Sequence, residues 1–118
     1  MTDLSGTWLG TYWQRGKPTR FEATLVQGGN TLTGNTLDDS YLGEACLSGS
    51  VIGRQVQFAK RYLLQKQMPV HYQGTVSEEG NTMQGTWDFG SLDSGRWEAH
   101  RQGESLTLSL QKHLTART

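Results

Sequence analysis

The stretch VHYQGTVSEEGNTMQGTWDF, residues 70–89, decides the fold class. Apolar residues and glycines occupy every second position in two short runs, and the polar segment 77–81 separates them. Side chains at every second residue lie on one face of a β-strand. A short connection with Gly and Asn is typical of a hairpin turn. The stretch therefore predicts two antiparallel strands that share an apolar face.

The same alternation continues in both directions along the chain. Runs lie at about 5–14, 18–27, 31–37, 41–49, 54–63, 69–76, 82–89 and 95–102. Short connections make sequential strands antiparallel neighbours. Eight strands with one apolar face each are best buried by closure, which also removes exposed sheet edges. We predict an all-β fold, an eight-stranded antiparallel up-and-down (meander) β-barrel; a β-sandwich is the alternative.

Large aromatic residues and glycines share the predicted inward face. Strands in a tightly curved wall need positions without a Cβ, and a narrow barrel is filled by alternating small and large residues. The glycines predicted to face inward are Gly10, Gly34, Gly43, Gly49, Gly74 and Gly85.

Length and charge limit the classes of function. A chain of 118 residues is one domain, and 11 Lys and Arg against 11 Asp and Glu leave no basic surface for nucleic acid. The domain is predicted to span residues 1–103, with a C-terminal extension, 104–118, that forms a short strand or a frayed tail. No apolar run approaches the roughly 20 residues that cross a bilayer, and the first eight residues lack the basic and apolar segments of a signal peptide, so we expect no secretory signal. With Cys46 as the single cysteine, we expect a cytoplasmic protein without membrane association.

Motifs for catalysis, metals and cofactors are absent from the sequence. No HExxH, CxxC, Gly-x-Ser-x-Gly or phosphate-loop pattern occurs. His71, His100 and His113 are interpreted as surface residues, and Asp38-Asp39 as a turn. We expect no cofactor, no metal and no catalytic residues, although an enzyme is not excluded.

The segment Gly6-Thr7-Trp8, early in the first run, resembles the calycins, whose lipocalin and avidin branches carry Gly-x-Trp there. The resemblance implies a calycin-like barrel. In lipocalins an Arg of the last strand packs on this Trp, which is the role implied for Arg101. The polar residues with which avidins bind biotin are not matched, since Gly10 stands two residues past Trp8 and the segment 32–36 contains no Tyr.

A second resemblance covers the segments 56–62, 70–74, 83–87 and 95–99, with Asp38-Asp39 as an acidic turn. These resemble small barrel-like modules within larger proteins of bacteria and eukaryotes. That family has no established chemistry, so this resemblance implies the fold alone.

Lys60 and Arg101 fall on otherwise apolar faces, and a buried cation must be paired, reach the rim or meet a ligand. In one reading Asp38, Asp39 or Glu44 neutralises them and side chains fill the barrel. In the other, both cations hold the acidic group of a small acidic or aromatic ligand. The residues predicted to bind that ligand are Trp8, Tyr12, Lys60, Tyr62, Tyr72, Trp87, Trp97 and Arg101.

Two further hypotheses remain open at this point. Trp13 falls on the polar face, and with Leu9 it forms a candidate contact patch for a second copy or a protein partner. The other hypothesis is an enzyme, a barrel isomerase or lyase that uses Lys60 as acid or base, which requires that Lys60 lie in an open pocket with a strongly perturbed pKa. A non-enzymatic ligand-binding module is the favoured hypothesis.

Overall fold

The computed structural model describes residues 3–64 and 68–102. They form eight strands: β1 (Gly6–Gln14), β2 (Lys17–Gly28), β3 (Thr31–Asp38), β4 (Glu44–Ile52), β5 (Gln55–Tyr62), β6 (Val70–Val76), β7 (Thr82–Asp88) and β8 (Ser94–Arg101). Each strand pairs with the next in antiparallel orientation, and β8 pairs with β1. The predicted eight-stranded meander barrel is therefore confirmed. The extension predicted for 104–118 lies outside the described residues.

The predicted start of the fourth strand is wrong by three residues. β4 begins at Glu44, because Gly43 adopts a φ of 66° and belongs to the turn after β3. A Cβ on Gly43 would meet nothing within 4 Å, so this glycine serves the turn and not the barrel interior. β4 also continues to Ile52, three residues beyond the predicted end of the fourth run.

Four inward glycines pair across the sheet with large aromatic residues. The register matches Gly10 with Phe21, Gly49 with Phe58, Gly95 with Trp87 and Gly85 with Trp97. At Gly85 an added Cβ would lie 2.5 Å from Gly74 Cα, so the neighbouring backbone occupies the space of a side chain. The rings cover the positions that the glycines leave bare, which permits strong curvature of the barrel wall.

The two ends of the barrel differ. At the end where the chain starts, Leu4 is fully buried under the strands, and its carbonyl accepts a hydrogen bond from Trp8 Nε1 at 2.9 Å. At the other end, β1, β3, β5 and β7 finish, and the interior opens into a cavity. We call this second end the cavity end. Among residues 3–64 and 68–102, no helix is long and apolar enough to span a membrane.

Candidate functional site

A buried ion pair lies inside the barrel toward the cavity end. Lys60 Nζ, from β5, lies 2.7 Å from Asp38 Oδ1, from β3, and their side chains are 2% and 0% exposed. β4 separates the two strands in the sheet, so the pair bridges the barrel interior. Of the acids proposed to neutralise Lys60, Asp38 does so, whereas Asp39 and Glu44 are exposed.

Two tyrosines complete the coordination of the Asp38 carboxylate. The hydroxyls of Tyr12 and Tyr62 both donate hydrogen bonds to Asp38 Oδ2. The distance from the Tyr12 hydroxyl oxygen to Oδ2 is 3.0 Å. The carboxylate thus accepts three hydrogen bonds, and its negative charge is opposed by one ammonium. A carboxylate is stable in a protein interior only when hydrogen bonds and a counter-charge compensate for the lost contact with water.

Aromatic rings surround the Lys60 ammonium. Nζ lies 4.9 to 5.6 Å from the ring centroids of Tyr12, Phe21, Tyr62 and Tyr72. These distances allow cation–π attraction, which is strongest where water is excluded. Lys60 therefore occupies an aromatic cage built by its own chain.

Burial shifts the protonation equilibria of this cluster. Desolvation lowers the pKa of Lys60, and the Asp38 charge partly offsets that effect. Desolvation, reinforced by Asp38, raises the pKa of Tyr12, Tyr62 and Tyr72 above the ordinary value. The three phenols are consequently neutral hydrogen-bonding groups at physiological pH.

Sequence reasoning missed the inward orientation of Asp38, which it interpreted as part of a turn. The residue ends β3 on the same face as Leu32 and Thr36, both buried. Extending the alternation of the third run by one residue beyond 37 would have placed it inside. Asp39 begins the turn, and its N–H donates to the Arg20 carbonyl at 2.8 Å.

A cavity of about 180 Å³ lies above this cluster at the cavity end. Its lining consists of Tyr12, Gln14, Tyr41, Leu42, Tyr62, Val70, Tyr72, Trp87, Phe89 and Asp93. Within the described part of the chain, Tyr72 makes no hydrogen bond to Asp38, unlike the other two tyrosines of the cluster. Four of the predicted site residues, Tyr12, Tyr62, Tyr72 and Trp87, are thus brought together. Lys60 lies behind them and not in the lining.

The mouth of the cavity carries an acidic residue that the sequence did not single out. Asp93 Oδ2 accepts a hydrogen bond of 2.7 Å from Gln14 Nε2, and Oδ1 accepts one of 2.9 Å from the Ser94 N–H. Arg15 Nε lies 3.8 Å from the same carboxylate. The hydrogen bond from Gln14 is the main cause that lowers the pKa of Asp93, so the residue is ionised.

Arg101 and Trp8 lie at the opposite end. The guanidinium donates to the carbonyls of Asp3, Ser5 and Gly80 at 2.8 to 2.9 Å, and Cζ lies 4.7 Å from the Trp8 ring centroid. Arg101 is therefore satisfied by backbone oxygens and does not share a site with Lys60. The contact with Trp8 is the one that the lipocalin resemblance implies.

Trp87 and Trp97 take different places in the interior. Trp87 lines the cavity, while its Nε1 donates to the Trp13 carbonyl at 3.1 Å. Trp97 lies deeper, edge-on to Phe58 and Tyr72 at centroid distances of 5.8 and 5.6 Å. It belongs to the core and not to the lining.

The proposed outer patch is partly covered by the protein itself. Trp13 is half-buried, and Arg96 Cζ lies 3.9 Å from its ring centroid.

Among the described residues, no group of three or more His, Cys, Asp and Glu is placed to hold a metal ion.

Comparison with known proteins gives the fold without a family. No family model matches this chain. No curated protein matches it either. A solved structure described as "De novo design of a fluorescence-activating beta barrel" is similar, with a TM-score of 0.65 and 17% identity. The match covers 86% of this chain and 100% of the designed barrel, and it supports the eight-stranded barrel architecture.

Proposed function

We propose that this protein binds a small aromatic molecule in the cavity end of the barrel. The observation that carries the proposal is the cavity itself, which is walled by Trp87, Tyr72, Phe89 and Tyr41 and floored by tyrosine hydroxyls. Ligand sites of proteins combine such aromatic walls with a few placed polar groups. The similar designed barrel is described as fluorescence-activating, which is compatible with a ligand inside this fold.

The volume suits a ligand with a single ring. An apolar cavity of about 150 Å³ accepts benzene, whereas pockets for drug-sized ligands measure about 300 Å³ or more. The cavity here has about 180 Å³. One six-membered ring with one or two substituent atoms fits this space.

Hydrogen bonding at two of the three lining tyrosines of the cluster favours a ligand that donates. Tyr12 and Tyr62 donate their hydroxyl protons to the Asp38 carboxylate, which can only accept hydrogen bonds. The lone pairs of the two hydroxyl oxygens are therefore available to accept hydrogen bonds from a ligand. The acidic ligand of the sequence-based hypothesis is disfavoured, because the charge of Lys60 is already balanced by Asp38. The proposal therefore retains the aromatic ligand and replaces the acid by a donor such as a phenol.

The calycin-like assignment forms part of this proposal. Two contacts support it: Trp8 Nε1 bonds the Leu4 carbonyl, and Arg101 packs on the Trp8 ring. Both close the end of the barrel opposite the cavity. A ligand then has access from the cavity end.

Phenol titrations of the ¹⁵N-labelled protein, followed by NMR chemical shifts, test the proposal. We expect a Kd on the order of 1 mM, about −4 kcal/mol, with shifts concentrated at the ends of β1, β5, β6 and β7. Benzoate is expected to bind more weakly. Val70→Trp fills the cavity and should abolish the shifts, whereas His71→Trp, on the outer face of the same strand, should retain them. Phenol shifts that survive Val70→Trp would refute the proposal.

A second candidate function rests on exposed apolar side chains at the cavity end. Tyr41, Leu63, Leu64, Met68 and Leu92 are 57% to 83% exposed and lie in connections at this end. Clustered exposed apolar groups favour contact with a protein or a second copy. Light scattering, which measures the molar mass in solution, tests self-association when the wild type is compared with Leu64→Asp. A monomer at all concentrations, with no change in Leu64→Asp, contradicts self-association.

A further inference from the structure

Among the described residues, the lining of the cavity carries one charged group. Asp38 and Lys60 neutralise one another beneath Tyr12 and Tyr62. Asp93 is the one charged residue in the lining of the cavity, counted over the part of the chain that the structure describes. The cavity therefore presents an anionic group at its mouth and lone pairs at its floor.

The Asp93 carboxylate is held in position and has room for another donor. Gln14 binds Oδ2 and the Ser94 N–H binds Oδ1, which fixes the orientation of the group. A carboxylate has about four acceptor sites, so these two hydrogen bonds leave others open. The side chain is 16% exposed.

The cation that now faces Asp93 is weakly held. Arg15 Nε lies 3.8 Å away and its side chain is 80% exposed, a geometry that contributes little attraction. Arg15 also has a φ of 52°, and it is the only described residue other than glycine with a positive φ. Asn and Gly accept this conformation more readily than Arg. A ligand cation can replace this guanidinium without breaking a strong contact.

We propose that the cavity selects a cationic aromatic amine, an arylalkylammonium whose ring lies on Trp87 and Tyr72 and whose ammonium binds Asp93. This inference rests on the proposed function and specifies the ligand class of the same site. Aromatic walls favour cations as well as rings, because the ring faces carry negative potential. Asp93 is then the residue that determines specificity.

Three probes of equal ring size and different charge test the proposal: benzylamine, benzyl alcohol and benzoate, titrated at pH 7 and low ionic strength. We expect benzylammonium to bind at least 5-fold more tightly than benzyl alcohol, and benzoate to bind most weakly. Asp93→Asn should reduce the ratio of the benzyl alcohol Kd to the benzylamine Kd to about 1. Asp39→Asn removes an exposed acid at the same end and should leave that ratio unchanged.

Arg15→Asn supplies an independent measurement. It removes the competing guanidinium and places a residue that tolerates positive φ in the turn, so benzylammonium should bind about 3-fold more tightly. Equal binding of benzylamine and benzyl alcohol, or a preference that persists in Asp93→Asn, overturns the charge selection and leaves the aromatic site standing. If none of the three probes binds, the aromatic site itself is overturned, and this proposal with it.

Discussion

Lys60 Nζ and Asp38 Oδ1 are 2.7 Å apart in the interior of the barrel, with both side chains excluded from solvent. Removing one partner of such a pair is costly, whereas replacing both by uncharged groups is often neutral. Substitutions of one or both residues should therefore change the free energy of unfolding by different amounts.

Asp38→Asn leaves the Lys60 ammonium without its counter-charge, and we expect a loss of about 3–5 kcal/mol in the free energy of unfolding. Urea denaturation at pH 7 measures it. Asp39→Asn, at the exposed neighbouring position, should change stability by less than about 0.5 kcal/mol. Adding Lys60→Met to Asp38→Asn should recover at least about 2 kcal/mol, since no buried charge remains. Additive losses in the double variant would contradict coupling between the two residues.

Arg101→Met keeps an apolar stem beside Trp8 and removes the donors to three backbone carbonyls. The expected loss is about 2–4 kcal/mol, because hydrogen bonds from charged donors are the stronger ones. Hydrogen exchange should show lost protection at Leu4 and Trp8. Arg96→Met removes the other Arg–Trp contact, on Trp13, and should cost less than about 1 kcal/mol. Equal losses in the two variants would show that Arg101 acts through ring stacking alone.

Gly85→Ala inserts a methyl group where the Gly74 Cα lies 2.5 Å away, so the strands must separate. We expect a destabilisation of about 1–3 kcal/mol or more, measured by thermal unfolding. Gly28→Ala is the matched control, because nothing lies within 4 Å of its Cβ position. It should be neutral or raise stability by up to about 1 kcal/mol. Similar effects at the two positions would argue against the close strand approach.

Alkaline pH should destabilise the fold through the buried phenols. Tyr12, Tyr62 and Tyr72 have a folded-state pKa above the unfolded value of about 10, so above that pH the folded state retains protons that the unfolded state loses. Unfolding free energy then falls with pH, by up to about 1.4 kcal/mol per unit for each tyrosine.

The lowered pKa of Lys60 acts in the opposite direction, because the unfolded state retains the lysine proton up to about pH 10.4. Measurements between about pH 11 and 12 therefore isolate the tyrosines. Tyr72→Phe should reduce the slope by about one third, and Tyr41→Phe, at an exposed position, serves as the control. A slope that is the same in the wild type and Tyr72→Phe would contradict the prediction.

Part of the candidate site follows from the sequence by alternation. Inward Tyr12, Tyr62 and Trp87 lie at the ends of odd-numbered strands, and Tyr72 lies near the start of β6, so all four meet at the cavity end. The same rule of strand direction places Arg101, at the end of β8, at the opposite end. The hypothesis that Lys60 and Arg101 hold one ligand together used only alternation, which assigns a face of the sheet and not a height along the barrel, whereas strand direction separates the two residues.

The sequence by itself determined the eight strands, their antiparallel order and most of the inward residues, with Gly43 and Asp38 as exceptions, since these features depend on a period of two and on short turns. Only the tertiary structure decided that Lys60 meets Asp38 across β4 and that a cavity of about 180 Å³ remains above them. Both depend on the diameter of the closed barrel and on its stagger, which accumulate over all eight strands. No local pattern contains that sum.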